Sequence, residues 1–325
     1  MVNVLIIGAS GRMGNWFYRY LTYMRNQEAN LLKNNLLQIK KVKKNRLNIN
    51  KIFLVDSRNL DDIVAEKNVY MSNEISDFID KSDIVIFCTP TEITVNLLKK
   101  LFKYFKSGTT VVEVSSIKNQ IYKKLEKYSR LRSEIQFLSI HPMFGPGAPV
   151  SSPSNIILHV LGNSLSKPRQ TRLMKAIFPN FTIIKLEKPG SHDTLVSLMI
   201  SLIYFMNLVF SKTLIDTIAG LDIKTKKSKL KFLKQISGSS FKIQSILSES
   251  ILTDDAFLFI GLFLGSPVSK QIIKRYGILY NQLAAKLEDK NKSYLKNYIL
   301  KTKKEVSEQV NLEDSYEILY RFLNT

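Results

Sequence analysis

The stretch VNVLIIGASGRMG, residues 2–14, decides the fold of this chain of 325 residues. An apolar run ends at Ile7, a glycine turn follows, and residues 15–24 repeat apolar side chains at helical spacing. A strand, a glycine turn and a helix in this order let backbone N–H groups at the helix start face a pyrophosphate. The sequence therefore predicts a dinucleotide-binding turn in residues 8–14.

Two strand ends and the glycine turn supply the predicted cofactor contacts. Gly11 and Gly14 match the second and third glycines of the dinucleotide fingerprint, while Ala9 stands where the first belongs. Asp56 ends the second apolar run, where a carboxylate accepts hydrogen bonds from ribose hydroxyls and repels a 2′-phosphate. This favours NAD, and Arg58 leaves NADP open. The predicted cofactor-binding residues are Gly8, Gly11, Arg12, Met13, Gly14, Asp56, Thr89 and Pro90.

Apolar runs and helical segments alternate through the first half of the chain. Further strands are predicted at residues 52–55, 83–88, 111–114 and 135–140, with helices at 93–105 and 120–131 between them. This alternation is typical of an α/β protein with a doubly wound, Rossmann-type sheet. The polar segment 25–50 interrupts it as an insertion or an extended helix.

The pattern changes after Pro189-Gly190, a helix-breaking pair that we take as the domain boundary. Four long apolar or amphipathic segments follow and are predicted to be helices, at residues 195–218, 230–252, 255–264 and 268–288. We therefore predict a Rossmann-like domain in residues 1–188 and an all-helical dimerisation domain in 189–325. Large apolar helices in a second domain often pack against the same helices of a second copy, so a homodimer is expected.

Composition limits the classes of function. The net charge of +21 comes from lysines that are scattered along the chain. The basic block Lys40 to Arg46 has no recognisable DNA-recognition helix and no aromatic residues for base stacking beside it. Nucleic-acid binding is therefore not expected. A single cysteine, Cys88, and no basic leader indicate the cytoplasm. The apolar run 195–210 is shorter than the roughly 20 residues of a membrane span. No metal site is predicted.

The run His141-Pro142-Met143-Phe144-Gly145-Pro146 carries the predicted chemistry. A histidine follows an apolar strand and is held in a turn bounded by proline and glycine. A neutral imidazole with an ordinary pKa of about 6.5 can accept the proton of a hydroxyl while hydride leaves the same carbon. We predict His141 as a general base. Another histidine, His159, lies in an apolar run and is expected to be a packed residue.

Together these motifs resemble the prephenate and arogenate dehydrogenases of tyrosine biosynthesis. The resemblance implies that His141 acts on the ring 4-hydroxyl of prephenate, and that Ser116 contacts both this histidine and the substrate. It also matches Lys118, and it places the pair His192-Asp193 beside the active site. Taken alone, Ser116-Ile117-Lys118 is equally compatible with a helix cap and a surface lysine.

The chain departs from the family pattern at two positions of the helical half. Tyr204 stands where relatives carry a further histidine, and Lys242 lies where many carry an arginine for the substrate carboxylate. Lysine keeps the charge but loses the planar guanidinium fork. The resemblance thus implies substrate contacts by His192, Tyr204, Lys242 and Lys118, and leaves prephenate, arogenate and feedback inhibition by tyrosine undecided. No chorismate mutase pattern or regulatory domain is found.

Three other interpretations stay open. The glycine turn is similar to that of dihydrodipicolinate reductase, but the histidine pair and following lysine of that family's substrate domain are missing from the sequence. A β-hydroxyacid-type dehydrogenase would share the sheet and the helical dimer and would use a lysine base. A non-catalytic nucleotide sensor would keep the nucleotide-binding sheet and would have no catalytic activity.

Overall fold

The computed structural model describes residues 1–33, 47–64, 66–162, 167–223 and 228–323. The basic block from Lys40 to Arg46 lies outside the described residues. The described chain divides into two units, Met1–Val196 and Ser197–Thr325. The sequence predicted the boundary at Pro189-Gly190, and the division falls instead after the short helix that begins there. That helix packs on the sheet and on a helix of the first unit.

An eight-stranded sheet forms the framework of the first unit. Its strands are β1 (Val2–Ile7), β2 (Ile49–Val55), β3 (Val69–Ser72), β4 (Ile84–Phe87), β5 (Thr110–Glu113), β6 (Gln136–Pro142), β7 (Ile156–Val160) and β8 (Thr182–Leu186). Their order in the sheet is β3-β2-β1-β4-β5-β6-β7-β8. All neighbours are parallel except β6 and β7, which pair antiparallel with His141 opposite Leu158. The Rossmann-type sheet predicted from the sequence is confirmed.

Both faces of this sheet are covered by helices. The first unit contains α1 (Arg12–Lys33), α2 (Thr91–Leu101), α3 (Asn119–Leu131), α4 (Lys167–Ile177) and α5 (Pro189–Val196), with single 3-10 turns at Ile75–Asp77, Ile79–Lys81 and Phe102–Tyr104. Side chains on a strand alternate between faces. Val4 and Ile6 therefore pack with α1 and α4, whereas Leu5 and Ile7 pack with α2 and α3.

The second unit is all helical in its described part. A π-helical turn, Ser197–Ser201, leads into α6 (Leu202–Ala219), α7 (Lys229–Ile236), α8 (Ser239–Ile251), α9 (Ala256–Leu264), α10 (Pro267–Glu288), α11 (Lys292–Ser307) and α12 (Leu312–Leu323). Many of its large apolar side chains are exposed, among them Phe257, Ile260 and Leu264 on α9.

Several predicted helices have different limits in the structure. The segment 230–252 is two helices separated at Ser237-Gly238, and α11 and α12 extend the helical unit beyond the predicted segments. Helix α1 runs to Lys33, into the segment treated as an insertion or an extended helix. The continuous helical stretch Pro189–Ala219 is longer than the predicted apolar run and is long and apolar enough to cross a membrane, a property that core helices of soluble proteins share.

Candidate active site

The glycine turn after β1 packs so closely that no side chain fits at Gly8 or Gly14. Gly8 has φ +88°, in the left-handed region that favours glycine, and a Cβ there would lie 2.8 Å from the carbonyl oxygen of Cys88. A Cβ on Gly14 would lie 2.0 Å from the carbonyl oxygen of Gly8. The amides of Gly8 and Ala9 both donate to the carbonyl of Val55 at the end of β2. The start of α1 is therefore held at the carboxyl edge of the sheet.

Asp56 lies at the same edge, directly after β2, and is almost fully buried. One carboxylate oxygen accepts a hydrogen bond from the amide of Ser10 (3.0 Å), and the other accepts from the amide (3.0 Å) and Nε (3.3 Å) of Arg58. Burial alone would raise the pKa of Asp56, but the hydrogen bonds from Arg58 and Ser10 outweigh it and lower that pKa. An ionised carboxylate thus stands beside the glycine turn, with the exposed guanidinium of Arg58 next to it.

The other predicted cofactor contacts border this turn. Arg12 and Met13 lie in the first turn of α1, where Arg12 is exposed and Met13 is half-buried. Thr89 and Pro90 join β4 to α2, and the hydroxyls of Thr89 and Thr94 lie 2.7 Å apart. Cys88 directly follows β4, and desolvation raises the pKa of its thiol, as expected of an unreactive packed cysteine.

His141 lies in β6, the last strand of the parallel set, and is 6% exposed. Its Nδ1 lies 3.1 Å from Nε2 of His192, which is fully buried on α5. Among the described residues, Nε2 of His141 has no hydrogen-bond partner. Burial, together with the neighbouring His192 and Lys118, holds the pKa of His141 well below its ordinary value. The imidazole is therefore neutral near pH 7, as a proton acceptor must be.

Asp193 continues the line of contacts from His192. Its Oδ1 lies 3.0 Å from Nδ1 of His192. The same carboxylate accepts the backbone amides of Lys118 (2.8 Å) and Asn119 (3.0 Å) at the start of α3. Free N–H groups at a helix start attract an anion, so Asp193 caps α3 from another element of the fold. Helix α5 is fixed to α3 in this way.

A buried ion pair lies behind His141. The ammonium of Lys118 contacts Oε1 of Glu113 at 2.8 Å and donates to the carbonyl oxygen of Ile140 at 2.5 Å. Glu113 also accepts the amide of Ser115 and the hydroxyl of Ser139. Both charged side chains are fully buried, and desolvation lowers the pKa of Lys118 against the pull of Glu113. The ammonium holds the strand that carries the histidine, and the substrate contact implied for Lys118 stays a prediction.

The loop after His141 is anchored to α1. Nε1 of Trp16 donates to the carbonyl of Ala148 at 2.8 Å, and Arg19 donates to the carbonyl of Pro146 at 2.9 Å. The Trp16 ring packs on Phe144 with ring centroids 4.7 Å apart. The hexapeptide turn is therefore held by the same helix that begins at the glycine turn.

Not every predicted site residue joins this cluster. Ser116 is half-buried beside Ser115, and no hydrogen bond links it to His141 in the described parts of the chain. Tyr204 and Lys242 belong to the second unit, where the Tyr204 hydroxyl donates to Asp254 at 2.6 Å and Lys242 is exposed on α8. Within the described ranges, no group of three His, Cys, Asp or Glu side chains could hold a metal ion.

Sequence reasoning missed the contacts of Glu113 and Ser139. A single acid at the end of an apolar strand resembles an ordinary strand terminus, and only the fold shows that Lys118 turns back onto it. The signal for Asp193 was present in the sequence as an acid adjacent to His192. The helix start that it caps is 74 positions away in the sequence and could not be read from it.

The arrangement of these residues indicates a class of enzyme. A glycine turn, a buried carboxylate and a neutral histidine at one edge of a Rossmann-type sheet are the parts of a nucleotide-dependent dehydrogenase. The comparisons with known proteins then indicate which family of dehydrogenases this chain is similar to. Residues 40–157 match the family described as prephenate dehydrogenase, nucleotide-binding domain.

One curated relative and two solved structures extend this match. The "Probable arogenate/prephenate dehydrogenase" of Methanocaldococcus jannaschii is 23% identical over 279 residues, which cover 83% of this chain and 53% of that protein. Prephenate dehydrogenase of Aquifex aeolicus, solved with hydroxyphenyl propionate and NAD+, is 18% identical with a TM-score of 0.67, covering 95% of this chain and 98% of that one. Synechocystis arogenate dehydrogenase is 16% identical with a TM-score of 0.57, covering 95% and 100%.

The solved structures show the shared fold, and this chain spans about half the length of the curated relative. The comparisons thus indicate the prephenate/arogenate dehydrogenase family, the same family that the sequence motifs resemble.

Proposed function

We propose that this protein catalyses the NAD-dependent oxidative decarboxylation of prephenate to 4-hydroxyphenylpyruvate, or of arogenate to tyrosine. The family assignment supports the reaction class. The observation that carries the proposal is His141, a neutral imidazole with Nδ1 held by His192 and no partner for Nε2 in the described structure.

The residues at the glycine turn fit a dinucleotide. The close approach at Gly8 and Gly14 leaves the start of α1 open to a pyrophosphate, and the Asp56 carboxylate lies where an adenosine ribose is bound in such folds. Because an ionised acid repels a 2′-phosphate, we propose NAD as the cofactor. The bound NAD+ of the Aquifex aeolicus structure is consistent with this choice.

In the proposed reaction, Nε2 of His141 takes the proton of the ring hydroxyl. When bound, NAD+ supplies the acceptor for the hydride that leaves the carbon bearing this hydroxyl. The bond to the ring carboxylate breaks, carbon dioxide leaves, and the ring becomes aromatic as its oxygen takes the proton back from His141. The protein therefore has to align the substrate and to provide a base, and the buried Lys118–Glu113 pair serves the alignment of β6.

Substrate contacts are proposed for four further residues. Ser116 and His192 belong to the first unit with His141, while Tyr204 and Lys242 come from the helical unit. Tyrosine in place of histidine cannot carry a charge at neutral pH, and lysine in place of arginine offers a point charge without bidentate geometry. We propose a cytoplasmic enzyme in which these two replacements alter the choice between the keto and amino side chains.

The decisive experiment follows reduction of NAD+ with prephenate and, separately, with arogenate, and repeats both with NADP+. The variant His141→Asn is expected to keep NAD+ binding and thermal stability and to lose roughly 10²- to 10⁴-fold in kcat, the range for a lost general base. Cys88→Ser, a half-buried position outside the proposed chemistry, serves as the matched control. Wild-type turnover in His141→Asn would exclude this mechanism, and no turnover with either substrate would exclude the function.

A further inference from the structure

The carboxylate of Asp193 can only accept hydrogen bonds. It faces two backbone amides, those of Lys118 and Asn119, and Nδ1 of His192. Backbone amides can only donate, so the carboxylate is held as an acceptor at 2% exposure. The nitrogen of His192 that faces Asp193 must therefore carry a proton, because two acceptors at 3.0 Å would repel each other.

This constraint passes through the ring of His192 to His141. A neutral imidazole has one N–H and one lone pair. If Nδ1 of His192 carries the proton, its Nε2 is an acceptor. The contact of 3.1 Å between Nε2 of His192 and Nδ1 of His141 then requires the proton on Nδ1 of His141. Nε2 of His141 is left as the lone-pair nitrogen.

We propose that Asp193 is a positioning residue that sets the tautomers of both His192 and His141, and so makes Nε2 of His141 the basic nitrogen. The line Asp193–His192–His141 also gives the imidazolium formed at His141 a route of stabilisation. Its Nδ1–H keeps donating to His192, whose own Nδ1–H donates to the carboxylate. The tautomers follow from geometry, and only the use of Nε2 on a substrate hydroxyl rests on the proposed function.

The competing arrangement places a positive charge on His192. An imidazolium there would donate from Nε2 to His141 and force the proton of His141 onto Nε2, which would abolish its basicity. The charged groups around His192 are Asp193, Lys118 and Glu113, and the pair Lys118–Glu113 is neutral as a whole. Burial at 0% exposure disfavours the imidazolium and lowers the pKa of His192, with Asp193 opposing that shift.

The chain has three histidines, which makes the protonation of each ring nitrogen directly observable. Protein labelled with ¹⁵N-histidine would be examined by long-range ¹H–¹⁵N NMR without substrate. His159→Phe assigns the remaining signals. The expected spectrum at pH 7.5 has protonated Nδ1 and unprotonated Nε2 in both His141 and His192. A protonated Nε2 in His141, or two protonated nitrogens in His192, would overturn the proposal.

Two variants separate positioning from packing. Asp193→Asn keeps the size of the side chain but can donate to His192 Nδ1, as the corresponding change inverts the histidine tautomer in serine protease triads. His192→Phe keeps the ring volume and leaves Asp193 to cap α3. Both are expected to move the proton of His141 partly or wholly to Nε2. An unchanged His141 spectrum in both variants would show that Asp193 has only a structural role, whatever happens to the melting temperature.

Kinetics provide the second measurement. Asp193→Asn is expected to lower kcat at least 10²-fold with a small change in KM, because binding contacts are kept and the base is lost. The NMR spectrum tests this inference and the turnover assay tests the proposed function, and either one can fail without the other. Correct tautomers in a protein that turns over neither prephenate nor arogenate would retain this inference and exclude the proposed function. Other tautomers than those expected, in a protein that turns over prephenate or arogenate, would exclude this inference and retain the proposed function. If Asp193→Asn does not fold, the wild-type spectrum and His192→Phe still decide.

Discussion

His159 is the third histidine of the chain and takes no part in the proposed reaction. It lies fully buried on β7, opposite Ile140 in the antiparallel pair. Burial lowers its pKa to about 4, with the charges of Lys185 and Lys118 acting in the same direction and Gln170 against them. The sequence-based interpretation of His159 as a packed residue agrees with this position. Its ring is neutral in the folded protein at pH 7.

This neutral ring makes stability depend on pH. Between pH 6.5 and about 4, an unfolded chain binds a proton at His159 that the folded chain does not, so stability falls as pH decreases through this window. The contribution is about 3 kcal/mol over the window. Urea unfolding of wild type and His159→Phe should give free energies of unfolding that diverge as pH falls, because the variant loses less stability. Parallel curves would contradict the prediction. The pKa values of His141 and His192 are also lowered, so part of the dependence of stability on pH remains in the variant.

Asp56 supports a second prediction at the residue scale. Hydrogen bonds to a charged acceptor contribute about 1.5–3 kcal/mol, so Asp56→Ser should weaken NAD+ binding by roughly 10- to 100-fold. The exposed guanidinium of Arg58 remains, and NADP+ binding should weaken less or improve. Calorimetry with both nucleotides would measure this, with the exposed Asp62→Asn as the matched control. Equal losses for NAD+ and NADP+ would show that Asp56 only shapes the turn.

Sequence patterns identified residues whose role is local. The glycines, Asp56 and His141 each follow a strand, and the carboxyl ends of parallel strands meet at one edge, so their grouping could be predicted. Lys118 shows the limit of this reasoning. A lysine two residues before a predicted helix suggests a surface side chain. Its burial depends on Glu113 and the carbonyl of Ile140, which only the folded sheet brings together.

At the scale of elements, the pair Lys118–Glu113 joins β5, β6 and the start of α3. Removing one member of a buried pair leaves an uncompensated charge and costs about 3–5 kcal/mol, whereas replacing both removes that penalty. Lys118→Met should therefore lower stability by this amount, and Lys118→Met with Glu113→Gln should recover most of it.

Urea unfolding followed by the fluorescence of Trp16, the one tryptophan of the chain, reports on the first unit for this test. The exposed pair Lys167–Glu187 of the first unit provides the control, since Lys167→Met should change little. A double variant less stable than Lys118→Met would contradict the explanation by charge.

Element boundaries were harder to predict than element types. The apolar periodicity of residues 230–252 continues through Ser237-Gly238, yet these residues separate α7 from α8, because Ser237 is extended and Gly238 caps the next helix. The antiparallel direction of β7 has no signature in its five residues. The connection from β6, residues 143–155, consists of turns without a helix, so β7 returns beside β6 in the opposite direction.

At the scale of the whole molecule, many large apolar side chains of the described helical unit are exposed. Phe257 is 76% exposed, and Ile260 and Leu264 follow it on the same helix. Soluble monomers rarely expose apolar patches of this kind. We propose that a second copy covers this surface. Sedimentation should give about twice the monomer mass, and Phe257→Glu should shift the equilibrium to monomer.

The surface of the same protein offers a control for this experiment. Tyr104 is also an exposed aromatic residue, on the 3-10 turn of the first unit, and Tyr104→Glu should leave the assembly unchanged. A wild-type protein that sediments as a monomer at every concentration would exclude the dimer. Dissociation by both variants alike would indicate a general effect of added charge.

The single indole of this chain gives the protein an internal optical reporter. Trp16 is fully buried on the helix that begins at the glycine turn, and its Nε1 holds the loop after His141. Its emission should be blue-shifted in the native state. Since indole emission overlaps the absorption of reduced nicotinamide, each turnover should dim the fluorescence as NADH forms in place, so a stopped-flow trace without any dye separates chemistry from product release.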